Sequence, residues 1–83
     1  MIHVLERVIE KHPQLTQVEV ESAWVARLKT QFRLDGDKDY MVAIGMSANG
    51  RLIQMIAFED GGDIVIFHAM KATKKTLDEL NML

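Results

Sequence analysis

A chain of 83 residues is long enough for one hydrophobic core and too short for several domains. It has no cysteine, which excludes disulfides and thiolate zinc sites and is typical of a reducing cytoplasm. The net charge is −2, which argues against a freestanding nucleic-acid binder, and the apolar runs are too short to cross a bilayer. We therefore expect a single cytoplasmic domain over residues 1–83.

The N-terminal part of the chain is predicted to form two helices. Residues 2–12 carry apolar side chains at helical spacing, with charges between them, and the proline that follows should end this helix. Thr16 and Glu19 fit the capping-box pattern, so a second helix is predicted from about Gln17 to Thr30. Trp24 lies on its apolar stripe, where a place in the core is favoured over stacking on a base.

A polar segment, residues 32–39, follows and is predicted to be a loop, because Asp-Gly-Asp lies at its centre. Its three alternating aspartates are similar to a calcium loop, but no glutamate follows at the distance that such a loop requires. The three histidines of the chain do not have a metal-ligand spacing either. We predict neither a metal nor a cofactor.

Three strands are predicted in the second half of the chain: Tyr40–Met46, Arg51–Phe58 and Ile64–Ala69. Asn49-Gly50 is a strong signal for a two-residue hairpin turn between the first two. Residues 59–63 supply a second turn, and Thr73 is a plausible N-cap for a short final helix. The expected fold is α+β, with two N-terminal helices, a three-stranded antiparallel meander sheet and a short C-terminal helix.

The hairpin turn also predicts the two faces of the sheet. A two-residue loop at Asn49-Gly50 makes residues 42, 44 and 46 face the same way as residues 53, 55 and 57, and this bulky face is the expected core. The opposite face is mixed, and three helices are too few to cover both. It is the expected surface for a partner, and its members include Met41, Gln54, Ile56 and Phe58.

The position of His68 depends on the turn at residues 59–63. A loop with an even number of residues places His68 on the core face, and a loop with an odd number places it on the mixed face. A β-bulge would reverse either result. The sequence leaves both alternatives open.

Ile64 to Lys75 is the stretch with the clearest functional signal, because an apolar strand leads into His68 and then into Lys71, Lys74 and Lys75. Cations at a helix start oppose the helix dipole, so their presence favours binding of a phosphate or an acidic partner. The alternatives are a hydrogen-bonded histidine at a strand end and a solvated helix start.

Several short motifs bear on the family. They are Ile44-Gly45, Gly50-Arg51, Gly62-Asp63 and the run from Ala69 to Lys75, with Lys11-His12-Pro13 upstream. Together they resemble the BrnT-type toxins of type II toxin–antitoxin systems, over roughly residues 11–75. The family opens with a Trp-Asp segment and an extra strand that are not apparent here, and it has arginines where this chain has lysines or methionine after Ala69.

The resemblance implies a RelE-like α+β fold, cleavage of RNA, and a cognate antitoxin of the ribbon-helix-helix type. In that case His68 would act as base or acid, and Arg51, Lys71, Lys74 and Lys75 would hold the phosphate. Binding to DNA would belong to the antitoxin, and none is expected without it. The alternative function is a non-catalytic interaction module, a homodimer that buries the mixed face.

Overall fold

The computed structural model describes residues 1–82 and contains five strands and three helices. In chain order these are β1 (Ile2–Val4), α1 (Glu6–Lys11), α2 (Gln17–Val25), β2 (Arg27–Asp35), β3 (Lys38–Met46), β4 (Leu52–Asp60), β5 (Asp63–Lys71) and α3 (Lys74–Glu79). The strands form one sheet in the order β1-β5-β4-β3-β2. Only β1 runs parallel to its neighbour, so the sheet is mixed. No helix within residues 1–82 is long and apolar enough to span a membrane.

The predicted three-stranded meander was wrong, because the sheet gains one strand at each edge. At one edge β1 pairs with β5 along residues 64–66, and the first predicted helix is shortened to α1. At the other edge β2 replaces the end of the predicted second helix and the first half of the predicted loop at residues 32–39. A strand therefore does precede the first helix.

The start of α2 was predicted correctly. Thr16 caps the helix, and its hydroxyl accepts a hydrogen bond from the backbone N–H of Glu19 at 3.1 Å. The helix ends at Val25, much earlier than the predicted Thr30, because the chain then turns into β2. There β2 forms a hairpin with β3, so pairing between strands decides the conformation of residues 27–30.

The first face of the sheet is covered by α1 and α2. Its buried core includes Val8, Val20 and Trp24 from the helices, and Ile53, Met55 and Ile66 from the strands. The helix α2 lies very close to β3, because a Cβ atom built on Gly45 would fall 1.8 Å from the carbonyl oxygen of Ala23. Glycine at this position therefore permits the contact between helix and sheet.

The second face is covered in part by α3, contrary to the expectation that it would remain open. Leu80 is buried there with Val42 and Ile44, and Leu77 and Met82 pack beside them. The domain therefore has two small cores, one on each side of the sheet. The end of the second face that lies away from α3 remains open.

The predicted register of the β3–β4 hairpin was wrong by one residue. Met46 pairs with Leu52, and the loop closes with a hydrogen bond from the Ser47 N–H to the Arg51 carbonyl at 2.8 Å. Three residues lie between Ser47 and Arg51, and Gly50 has φ +78°, as in a type I turn followed by a left-handed residue. A slip of one residue exchanges the faces of one whole strand, so Val42 and Ile44 lie opposite to the predicted side.

The β4–β5 hairpin turns at Gly61-Gly62, both of which have positive φ angles, and Asp60 pairs with Asp63. This even-numbered loop directs Ile64 and Ile66 into the core beneath α1 and α2. A β-bulge then follows: Ala57 pairs with Ile66 but Ile56 pairs with His68, so Phe67 has no partner. Because of the bulge, the side chain of His68 does not continue the alternation in which Ile64 and Ile66 point into the core.

Candidate functional site

A cavity of about 230 Å³ lies where α1 packs beside the bulged part of β5. Its charged and titratable lining consists of Arg7, Lys11, His12 and His68. Val8, Phe67 and Ala69 complete the wall, and no acidic side chain lines the cavity. We call this place the basic cavity. Four of its side chains carry or can gain positive charge and no carboxylate lines it, so its electrostatics favour an anion over a cation.

The two histidines of the basic cavity lie close together. Their ring centroids are 6.2 Å apart and the rings are nearly perpendicular. Partial burial lowers the pKa of His68, and the nearby His12 and Lys11 lower it further. The imidazole of His68 is therefore neutral near pH 7 and able to accept a proton.

Local structure explains why these side chains meet. Arg7 and Lys11 lie four residues apart and so share one face of α1. His12 is the C-cap, where the helix ends before Pro13. The bulge at Phe67 changes the direction of the side chains on β5. A helix end and a bulged strand thus bring His12 and His68 together across 56 residues of sequence.

A larger, open concavity of about 690 Å³ adjoins the basic cavity. Three aromatic rings line it, from Tyr40, Phe58 and Phe67, and the rings of Phe58 and Phe67 have centroids 5.7 Å apart. Arg7 and Phe67 line both places, so the two are contiguous. We call this place the aromatic cavity. Its rim is charged and carries Asp35, Lys38, Asp39 and Glu59.

Arg51 does not belong to either cavity. Its guanidinium donates to both carboxylate oxygens of Glu19, one at 2.7 Å through Nε, and to the carbonyl of Gln14 at 3.1 Å. Glu19 is only 4% exposed and also accepts from the hydroxyl of Ser47 at 3.0 Å. These bonds lower the pKa of Glu19, chiefly through Arg51, although burial opposes the shift. Arg51 therefore anchors α2 to the β3–β4 loop, outside both cavities.

The three lysines that the sequence singled out are exposed at the end of β5 and the start of α3. Lys71 follows two residues after Ala69, which lines the basic cavity. Lys74 and Lys75 form the first turn of α3, behind the N-cap Thr73. None of the three lines the basic cavity.

Of the four residues predicted to form one partner face, Gln54, Ile56 and Phe58 share a side of the sheet and Met41 lies on the other. Met41 pairs with Ala57 and packs against the core beneath α1 and α2. Ile56 and Phe58 lie on the other side of the sheet, in the wall of the aromatic cavity. Gln54 accepts hydrogen bonds from the backbone N–H and the hydroxyl of Thr73, at 2.8 Å and 3.1 Å. Gln54 thus holds the start of α3 in place.

The sequence indicated His68 but missed Arg7, Lys11 and His12 as members of the same site. One signal was present, because Lys11-His12 is part of the BrnT-like pattern upstream of the second helix. Within residues 1–82, no three His, Asp or Glu side chains are grouped so that they could hold a metal ion.

Comparisons with protein-family models, with curated proteins and with solved structures found no match to this chain.

Proposed function

We propose that this protein is the toxin-like ribonuclease of a toxin–antitoxin pair, and that the basic cavity binds and cleaves an RNA phosphodiester. The observation that carries the proposal is the pair of imidazoles, His12 and His68, in a cavity whose other charged side chains are both cations. Such a cavity favours an anion, and two imidazoles can divide the acceptance and the donation of a proton between them.

The proposed reaction follows from these roles. Neutral His68 takes the proton of the 2′-hydroxyl, and the 2′-oxygen forms a bond to phosphorus. The bond from phosphorus to the 5′-oxygen breaks, and His12, acting as the general acid, gives a proton to that oxygen. Arg7 and Lys11 stabilise the negative charge on the phosphate. The products are a 2′,3′-cyclic phosphate and a 5′-hydroxyl end, so no metal is needed to balance the reaction.

The aromatic cavity supports RNA as the substrate. Single-stranded RNA is bound by stacking of its bases on aromatic rings. Phe67 lines both cavities, so a base on Phe67 and Phe58 would lie next to a phosphate in the basic cavity. Lys71, Lys74 and Lys75 would hold the phosphates on one side of the cleaved bond, as point charges without the bidentate contact of arginine.

The place in a toxin–antitoxin pair rests on the resemblance to BrnT-type toxins. The strand β1 before the first helix agrees with the extra N-terminal strand of that family. The partner would be a cognate antitoxin of the ribbon-helix-helix type, which would bind both this chain and DNA. A gene for such a protein beside the gene for this chain would support the assignment.

A second candidate is a non-catalytic interaction module. The observation that favours it is the exposed apolar surface of β2, where Phe32 is 78% exposed and Leu34 is 68% exposed. In that case the purified protein would bind a partner without cleaving RNA.

Cleavage of a single-stranded oligoribonucleotide by the purified protein tests the proposal. We expect His68→Ala and His12→Ala each to lower the rate by about 10²- to 10⁴-fold, the usual contribution of a general acid or base. His3→Ala is the matched control, because His3 is exposed and contacts Asp63 at 3.2 Å, outside the basic cavity. It should cleave like the wild type.

The product and the cellular effect provide further readouts. The products should end in a 2′,3′-cyclic phosphate, and a substrate with 2′-deoxyribose at the cleaved position should be inert. Expression in bacteria should slow growth, and His68→Ala should relieve this effect. Wild-type protein that leaves RNA intact, or equal cleavage by the wild type and both histidine variants, would overturn the ribonuclease proposal.

A further inference from the structure

The strand β2 ends the sheet, so its outer edge pairs with no other strand. It is nine residues long, and on the side of the sheet that carries α1 and α2 it exposes Phe32 and Leu34. A long edge strand with exposed apolar side chains is a site for pairing with another strand, and proteins usually protect such edges. Another strand can therefore pair with this edge.

The other side of β2 is charged. Lys29, Gln31, Arg33 and Asp35 alternate with the apolar positions and point toward the side that carries α3. Lys29 and Asp35 take part in none of the ion pairs within residues 1–82. The two ends of the strand thus carry opposite charges, with Asp35 facing Lys38 in the β2–β3 hairpin, and an antiparallel copy would place each end beside its opposite.

We propose that two copies of this chain join through β2, antiparallel, with Phe32 of one copy opposite Phe32 of the other. In this register Lys29 lies opposite Asp35 of the second copy, and the same pair forms again at the other end. Gln31 lies opposite Arg33, where a guanidinium can donate to an amide oxygen, and Thr30 lies opposite Leu34. The two five-stranded sheets become one sheet of ten strands.

Charge favours this register over its neighbours, and centring on Leu34, which places Arg33 opposite Asp35, pairs only residues 33–35 of the strand. A two-fold axis perpendicular to the sheet places one residue opposite its own copy, because facing residues must point to the same side. Centring on Gln31 places Lys29 opposite Arg33, and centring on Thr30 would run the pair across the β-bulge between Arg27 and Lys29. Centring on Arg33 places that residue opposite itself. Like charges directly opposite destabilise a strand pair, so the register at Phe32 is favoured.

The self-complementary charges favour a second copy over an unrelated partner. If a different protein covered this edge, the charges of Lys29 and Asp35 would not need to be complementary to each other. Lys29 and Phe32 line neither the basic nor the aromatic cavity, whereas Asp35 lies at the rim of the aromatic cavity, so variants at Lys29 and Phe32 separate this inference from the proposed ribonuclease activity. Loss of dimerisation and loss of cleavage can therefore be told apart.

Charge exchange tests the register. We expect the wild type to be a dimer in sedimentation equilibrium at protein concentrations of about 0.1–1 mM. Lys29→Asp alone and Asp35→Lys alone each create two like-charge pairs, and each should raise the dissociation constant by at least about fivefold. An equimolar mixture of the two variants should form a heterodimer, because every facing pair is again opposite in charge.

Controls separate this effect from folding and from net charge. Asp35 also pairs with Lys38 across the β2–β3 turn, so circular dichroism should verify that Asp35→Lys is folded. Lys75→Asp makes the same change of charge on α3 and should leave the dimer intact. A wild type that is monomeric at 1 mM, or a mixture no more associated than its components, would overturn the inference.

A single cysteine gives a second test, because the chain has no cysteine of its own. Facing residues in an antiparallel pair have Cβ atoms about 4.5–5.5 Å apart, so Phe32→Cys should form a disulfide between two copies on mild oxidation. Leu34→Cys is the matched control, since its two copies would lie four residues out of register, beyond disulfide reach. Equal cross-linking of both variants would contradict the register.

Discussion

Replacing Gly45 by alanine should destabilise the fold through a single contact between α2 and β3. The added Cβ would lie 1.8 Å from the carbonyl oxygen of Ala23 and 2.6 Å from its carbonyl carbon. Gly45 does not have a positive φ angle, so its own backbone conformation accepts alanine. The expected effect is therefore steric and comes from the helix that lies against this strand.

The size of the effect follows from how far α2 must move. Ordinary contact begins at 3.4 Å, so the helix must retreat by roughly 1.6 Å. A rigid backbone carbonyl cannot rotate away as a flexible side chain could. The retreat loosens the packing of Val20, Ala23 and Trp24, which are at most 3% exposed. We expect a loss of about 3–5 kcal/mol, at or above the upper end for overpacking.

Urea unfolding measures this loss. Trp24 is the only tryptophan, lies on α2 and is buried, so its fluorescence reports both unfolding and any displacement of the helix. For a domain of this size, 3–5 kcal/mol is a large part of the stability and corresponds to a fall in Tm of roughly 12–40 °C. The variant could then be largely unfolded at 37 °C.

Gly61→Ala is the matched control. A Cβ at Gly61 meets nothing within 4 Å, although the residue has φ +59°. The expected cost there is about 1–2 kcal/mol from the left-handed backbone alone. If Gly45→Ala cost less than Gly61→Ala, the close approach of α2 to β3 would be refuted.

Two further predictions concern charged groups. Arg51→Ala should lower the stability at pH 7, because it leaves the buried Glu19 without its counter-ion. The fold lowers the pKa of Glu19. The stabilisation by the ion pair is therefore complete above the ordinary pKa of 4.5 and is lost as the pH falls through the lowered pKa. The difference between wild type and variant should therefore shrink on acidification. Nuclear magnetic resonance should find the pKa of His68 below its usual range, and Lys11→Ala or His12→Ala should raise it.

Each of these has its own control. Arg7→Ala removes an exposed arginine that forms no ion pair within residues 1–82 and should change the stability little at any pH. A variant at Arg51 that is as stable as the wild type at pH 7 would contradict the anchoring role. Lys75→Ala should leave the titration of His68 unchanged; equal shifts in the two lysine variants would contradict the role of Lys11.

The edge strand β2 has a signal in the sequence that would have predicted a strand. Residues 27–35 alternate, with Leu28, Phe32 and Leu34 at even positions and charged or polar side chains at odd ones. This is the period of a strand and not of a helix or a loop. The prediction failed because the turn signal of the aspartates and the glycine near residue 36 was taken to cover the residues before it, so the predicted loop began too early. The three-residue strand β1 left no comparable signal, and its pairing with β5 is what makes it a strand.

Only part of the candidate site could be predicted from the sequence. His68 was identified because an apolar strand led into it, and the lysines because they cluster. The neighbours Lys11 and His12 lie 56 or more residues earlier, and no periodicity connects them to β5. Arg51 was chosen for its charge, but its partner Glu19 was visible only once α2 lay against the β3–β4 loop.

Local chemistry in the sequence was enough to determine the cap at Thr16, the three central strands and the glycine turn before β5, because each depends on residues close together in the chain. The tertiary structure alone decided the edges of the sheet, the register of the β3–β4 hairpin and the membership of the basic cavity. A slip of one residue or a single bulge reverses the direction of a side chain. Only the packing of the helices on the sheet selects among these alternatives, and so only the folded chain brings His12 to His68.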